Sequence, residues 1–162
     1  MSKIEEKVYQ VYLAGPCFSA AELMWNQIVK TKLESYCDGM RMVFYLPQER
    51  VSVAWTSHEI REELIKGLEN SQAIVANLDG PGGDDGTCWE MGFVAGINSV
   101  LTMVGHNPLK KIFWYRTDFR KGGDTRFDVN LMMAHGGTQI IIPDTKPSPA
   151  AKDIADALIR QR

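Results

Sequence analysis

No stretch of this chain approaches the ~18 consecutive apolar residues that a membrane span needs, and its start, MSKIEEKVYQVYLAG, lacks the long apolar region of a signal peptide. Neither export nor membrane insertion is expected. Histidine and cysteine are scarce. His58, His106 and His135 lie far apart, and Cys17, Cys37 and Cys88 are an odd number at no metal-like spacing. A structural metal and a disulfide framework are therefore not expected, and a reduced, cytoplasmic setting is. Charge of one sign is lacking too: the net charge is −2 and no Lys/Arg run stands out, so nucleic acid and anionic membranes are not expected partners. The local basic excess at 110–121 is interleaved with Phe113, Trp114, Tyr115 and Phe119, which reads as a strand running into a surface loop. Repeats, low-complexity segments and Pro/Ser-rich linkers are also missing, and the 162 residues read as one domain, 1–162. The first turn reads A-G-P-C-F-S, not G-x-G-x-x-G, and no P-loop occurs, so neither a dinucleotide nor any other cofactor is expected.

What is present is a soluble globular composition, 44% hydrophobic and 23% charged, arranged as alternating strands and helices. Val8 to Ala14 reads as a first strand closed by Gly15-Pro16. A helix follows from about Ser19 to Ser35, opened by the capping pair Ser19 and Glu22, with Ala20, Met24, Ile28 and Leu33 roughly on its inner face. Met42 to Leu46 is a second strand, Thr56 to about Asn70 a helix repeating Ile60, Leu64 and Leu68, and Ala73 to Leu78 a third strand, buried on both faces. Val100 to Val104 and Lys111 to Tyr115 are strand candidates, or one interrupted strand. Gly122-Gly123-Asp124 marks a loop, Val129 to Ala134 a short helical piece and Gln139 to Ile142 a strand. A last helix enters through Pro147-Ser148-Pro149. The alternation implies an α/β fold: a flavodoxin-like doubly wound sheet of about five mainly parallel strands with helices on both faces.

The central stretch, AIVANLDGPGGDDGTCWEMGFVAG at 73–96, organises the rest. A buried strand opens into a Gly/Asp loop, and Thr87-Cys88-Trp89-Glu90 has the S/T-x-x-E spacing of a capping box that starts the next helix. In a parallel sheet this places Asp84, Asp85 and Glu90 at the carboxyl ends of the strands, where ligands bind. Two readings of Glu90 are open from spacing alone. It is the partner of Thr87 in that cap, or it is an attacking carboxylate kept ionised at neutral pH by the helix dipole. Gly15 and Phe18 in the first loop and Asp79 in the central one are candidate substrate contacts. Phe18 and Trp89 either wall a base pocket or simply pack.

Three separated stretches resemble the nucleoside 2-deoxyribosyltransferase family: VYLAGPCFS at 11–19, ANLDGPGGDDGTCWEMGF at 76–93 and NLMMAHGGTQII at 130–141, with YRTDFRKGGD at 115–124 between them. The resemblance implies a ping-pong transfer of a 2-deoxyribosyl group between nucleobases, with 2′-deoxynucleosides and free bases as small-molecule partners and no cofactor. It implies Glu90 as nucleophile, Asp84 as the acid at the base and Tyr12 as the residue that orients the nucleophile. Asn130 and Met132 match residues that reach into a neighbouring subunit's site, which implies a homo-oligomer with sites completed across subunits. The further acid that members carry on the helix before the central strand falls, without gaps, on Leu64, with Glu63 beside it as the candidate replacement. Asp118 and Arg120 either fold their loop over the site or form a surface ion pair.

Two other classes stay open. A hydrolase of nucleosides or their 5′-monophosphates would use the same nucleophile with water as acceptor; Ser19, Thr87 and Arg120 are its candidates for phosphate recognition. A non-catalytic nucleotide-binding module would keep the fold without the acid pair.

Overall fold

The computed structural model describes residues 8–52, 54–80, 82–108, 110–118 and 129–161. The 119–128 stretch, with Arg120 and the Gly122-Gly123-Asp124 loop, lies outside them. In chain order the elements are β1 (Tyr9–Ala14), α1 (Ala20–Tyr36), β2 (Met42–Tyr45), a short 3-10 turn (Pro47–Glu49), α2 (Ser57–Asn70), β3 (Ala73–Asn77), α3 (Asp85–Met103), β4 (Lys111–Tyr115), α4 (Leu131–Ala134), β5 (Thr138–Gln139) and α5 (Pro147–Gln161). The strands form one sheet in the order β2-β1-β3-β4-β5, with every pairing parallel. This is the flavodoxin-like order, whose crevice falls where the winding reverses, between β1 and β3.

The central strand explains the layering. All five residues of β3 are buried, so the sheet is covered on both faces, as parallel sheets require. On one face Val11, Leu13 and Val75 meet Val29 and Leu33 of α1 and Ile154 and Leu158 of α5. On the other, Tyr12, Ala14, Ile74 and Ala76 meet Leu68 of α2, Met91 and Val94 of α3 and Met133 of α4. Each Val, Leu, Ile or Met among these contributes roughly 1.5–3 kcal/mol by leaving water.

Two expectations are corrected. In α1 the inner face is Trp25, Val29 and Leu33, while Met24 is 64% exposed and Ala20 and Ile28 are also exposed. The helix carries apolar residues on two sides, and moving by one residue turns it by about 100°. Val100 to Val104 is not a strand: Val100 to Met103 are the last turn of α3 and Val104 is its cap. The helix runs until Gly105, whose φ of 83° suits glycine. There His106 N–H donates to Leu101 O at 2.8 Å and Gly105 N–H to Thr102 O at 3.1 Å, which closes a Schellman turn.

Candidate active site

The helix that carries Glu90 begins earlier than the S/T-x-x-E spacing suggests. Asp84 is the N-cap of α3: its Oδ2 accepts from Thr87 N–H and from Thr87 Oγ1, each at 2.8 Å. Thr87 is thereby turned inward and buried, and the Thr87–Glu90 capping box is absent. Glu90 instead lies in the second turn, on the side facing the sheet, and its Oε1 accepts a hydrogen bond from Tyr12 Oη at 2.5 Å. Tyr12 is fully buried and reaches Glu90 because the alternation of β1 sends its ring to the α2/α3 face.

Burial pushes the Glu90 carboxyl up to about 7 from its usual 4.5; the Tyr12 hydroxyl opposes this and the Asp84 charge adds to it. Ionisation is thus not held by the helix dipole, whose influence fades within the first turn. Near neutral pH both forms are populated. Burial, then the charge of Glu90, keeps the Tyr12 phenol protonated and hence a donor. Burial also pushes the Cys17 thiol up, with Asp84, Glu90 and Glu22 adding to it. The loop after β1 therefore lies within electrostatic reach of the acid pair, and Cys17 is kept from being a thiolate nucleophile.

Glu90 stands in the wall of a cleft of about 300 Å³ between α2 and α3, lined also by Ser57, Ile60, Arg61, Leu64, Gly86 and Trp89. That volume is at the lower end of the range for small-molecule sites. Leu64 is on this wall. Glu63 is one layer behind: its Oε1 accepts from Tyr45 Oη at 3.2 Å, and it lines a separate cleft with Trp55, His58 and Lys66.

Asp79 and Gly15 belong to the opposite side of the strand ends. Asp79 accepts from Thr117 N–H and Thr117 Oγ1 at 2.6 Å and from Asp118 N–H at 2.7 Å. It lines a crevice of about 230 Å³ against α1 with Pro16, Trp25 and Asn77. A Cβ on Gly15 would lie 3.1 Å from Asn77 Cβ, so glycine lets the first loop cross close to β3. Asp118 ties the same corner, its Oδ2 accepting from Gly80 N–H at 3.1 Å.

Phe18 is 77% exposed at the entrance to α1 and Trp89 is half exposed, stacked on Phe93 at 5.3 Å; neither is core packing. Asn130 caps α4 by accepting from Met132 N–H at 2.9 Å, while Met132 is 82% exposed and so not core. The helix they begin leans on the central loop: a Cβ on Gly83, at φ 80°, would lie 3.2 Å from Met133 Cε.

Tyr45 was not among the residues singled out from the sequence. It pairs in register with Tyr12, and their rings stack at 5.1 Å. The signal for it is that both tyrosines sit at the carboxyl ends of neighbouring strands, which is readable once the strands are aligned. Among the described residues no three His, Cys, Asp or Glu side chains gather as a metal ion would need, and no helix is long and apolar enough to cross a membrane.

Strand order, helix layers and a desolvated carboxylate at the switch point define a flavodoxin-like doubly wound α/β protein. Residues 11–132 match the profile of the nucleoside 2-deoxyribosyltransferase family, and the chain belongs to that family. Its activity is accordingly of nucleoside 2-deoxyribosyltransferase type. No curated protein sequence matches the chain. Among solved structures it is similar to a conserved protein from Enterococcus faecalis V583, with a TM-score of 0.68, 20% identity, and coverage of 93% of this chain and 99% of that one. It is also similar to a 2-deoxyribosyltransferase from Leishmania mexicana, with a TM-score of 0.54, 20% identity and coverage of 81% and 89%. A third similar structure is a 2-deoxyribosyltransferase from Bacillus psychrosaccharolyticus, with a TM-score of 0.52, 20% identity and coverage of 79% and 82%. At this identity the structures bear on the fold alone.

Proposed function

We propose that the protein exchanges the base of 2′-deoxynucleosides by a retaining ping-pong mechanism through an ester of Glu90. The observation that carries this reading is the 2.5 Å hydrogen bond from Tyr12 to a carboxylate standing in a cleft wall at the strand ends. Such a carboxylate is oriented, desolvated and short of donors, as an attacking group should be. One Glu90 oxygen attacks C1′ while the N-glycosidic bond breaks, and the base departs with a proton from Asp84. A second base then attacks C1′ from the vacated side, expels the carboxylate and returns a proton to Asp84. Asp84 suits this because Thr87 occupies only its Oδ2, which leaves Oδ1 to carry the proton. The apolar face of Ile60 and Leu64 and the half-exposed Trp89 offer a base a surface to stack on. Met132, exposed on a helix that leans on the central loop, is suited to reach the site of a second copy, with Asn130 beside it.

The test is mass spectrometry of the protein after mixing with a 2′-deoxynucleoside. A deoxyribosyl adduct on the peptide containing Glu90 is expected; turnover with an adduct elsewhere, or with none on a rapid-quench timescale, overturns the nucleophile. Incubating deoxyinosine with and without adenine separates the acceptors. Transfer forms deoxyadenosine, whereas hypoxanthine release at one rate in both tubes overturns the transferase reading in favour of hydrolysis.

A further inference from the structure

The Tyr12 ring is itself held from behind. Tyr45 lies against it nearly parallel, at 14° and 5.1 Å, and is buried. Three contacts fix Tyr45 in turn. Its hydroxyl donates to Glu63 O at 3.1 Å and Glu63 Oε1 at 3.2 Å, the Arg50 guanidinium lies over its ring at 5.5 Å, and α2 makes room for it at Gly67. A Cβ on Gly67 would sit 2.5–2.9 Å from three atoms of the Tyr45 ring, closer than carbon atoms approach. Glycine inside a helix is less favourable than alanine, so this position gives up helix stability and in return admits the ring.

We propose that Tyr45 is a positioning residue: seated in the notch at Gly67, its ring holds Tyr12 in the orientation that donates to Glu90. This deepens the reading of Glu90 as nucleophile and rests on it for its catalytic meaning. Beyond its sheet pairing, the Tyr12 side chain makes no hydrogen bond besides the one to Glu90 among the described residues, so ring packing must set its direction. Without the stack the ring can turn and the donor is lost, leaving burial and the Asp84 charge to act on Glu90 unopposed. The ionisable groups around Glu90 are Tyr12 from β1, Cys17 from the loop after it, Tyr45 from β2, Arg61 from α2 across the cleft and Asp84 at the cap of its own helix. Of these, Tyr12 is the hydrogen-bond donor that Tyr45 controls.

The test is a ¹³C NMR titration of the Glu90 carboxyl in the ligand-free protein, assigned with Glu90→Gln, beside the pH profile of kcat/KM for base exchange. Tyr45→Leu and Gly67→Ala are each expected to move the Glu90 titration and the acid limb upward by about half to one pH unit. Tyr45→Phe, which keeps the ring and gives up only the bond to Glu63, is expected to return both to the wild-type position. A Glu90 titration unmoved in Tyr45→Leu, with only a lower Tm, overturns the proposal. If Gly67→Ala does not fold, Tyr45→Leu decides alone. Undiminished exchange in Glu90→Ala would instead bring down the nucleophile reading, and the titration would still decide whether Tyr45 aims Tyr12.

Discussion

Asp79 and Glu90 flank the same loop and meet opposite treatment. Asp79 collects three short hydrogen bonds from Thr117 and Asp118, enough to satisfy a carboxylate from within the protein. Glu90 is buried more deeply than one donor can repay and receives only the Tyr12 hydroxyl among the described residues. The first arrangement ties the exit of β4 to the exit of β3. The second leaves a carboxylate with attraction to spare for something that enters the cleft. Two carboxylates on either side of one loop thus separate into a fastening and a group left available to a ligand, by the number of donors each is given.

The sharpest way to break that comparison is to neutralise Glu90. Glu90→Gln is expected to lower exchange at least about a thousandfold, roughly 4 kcal/mol, in a steady-state assay. The same variant should be the more stable protein in base. Glu90 titrates near 4.5 when unfolded and about 7 when folded, so between these pH values the native state holds a proton that the unfolded chain has released. Rising pH therefore erodes the stability contributed by this group, fully so above about 7, by on the order of 3 kcal/mol. Urea unfolding at pH 5 and pH 8 should find Glu90→Gln gaining on the wild type at the higher pH; an equal gap at both would mean Glu90 is not desolvated.

Asp84 falls between the two, since it fastens Thr87 and is the residue proposed to serve the departing base. Asp84→Asn keeps the N-cap, for asparagine caps as well as aspartate, and should change stability by less than about 0.5 kcal/mol. Its exchange rate should nevertheless fall about a hundredfold, roughly 2.7 kcal/mol, in assays at the wild-type optimum. A rate loss matched by a lower Tm would reduce Asp84 to a cap. Asp79→Ala should invert that pattern: about 2 kcal/mol of stability is expected to go, by thermal unfolding, because Thr117 and Asp118 lose a charged acceptor.

Much of this was readable before any coordinates. Alternating strands and helices without a phosphate loop led to the sheet and its crevice, and Glu90, Asp84 and Tyr12 do converge there. At the start of α3 two capping patterns overlap. Asp84-x-x-Thr87 and Thr87-x-x-Glu90 have the same spacing, and only the folded loop decides that Asp84 is the cap. Val100 to Val104 looked like a strand because a short apolar run has no period of its own; the informative residue was the breaker after it, Gly105. Glu63 looked available beside Leu64, yet a one-residue step round α2 sends it to Tyr45 and another cleft. The Tyr45–Gly67 contact was out of reach altogether, since it joins a strand to a helix that sequence spacing does not relate.

The smallest effect should come from the one donor that Glu90 has. Tyr12→Phe keeps the buried ring and its stack on Tyr45 but removes the hydroxyl that holds the Glu90 carboxyl down. The carboxyl should then rise by about one pH unit, and the acid limb of kcat/KM should move up by as much. Because the attacking form is the ionised one, the loss is unequal across pH: about tenfold at pH 6, roughly 1.4 kcal/mol, and little at pH 9, where both proteins are ionised. Rates measured at the two pH values distinguish this from a misplaced carboxylate, which would be slow at both. A Tyr12→Phe variant equally slow at pH 6 and pH 9 would mean that the hydroxyl aims Glu90 and does not tune it, and that the contrast with Asp79 lies in geometry more than in charge.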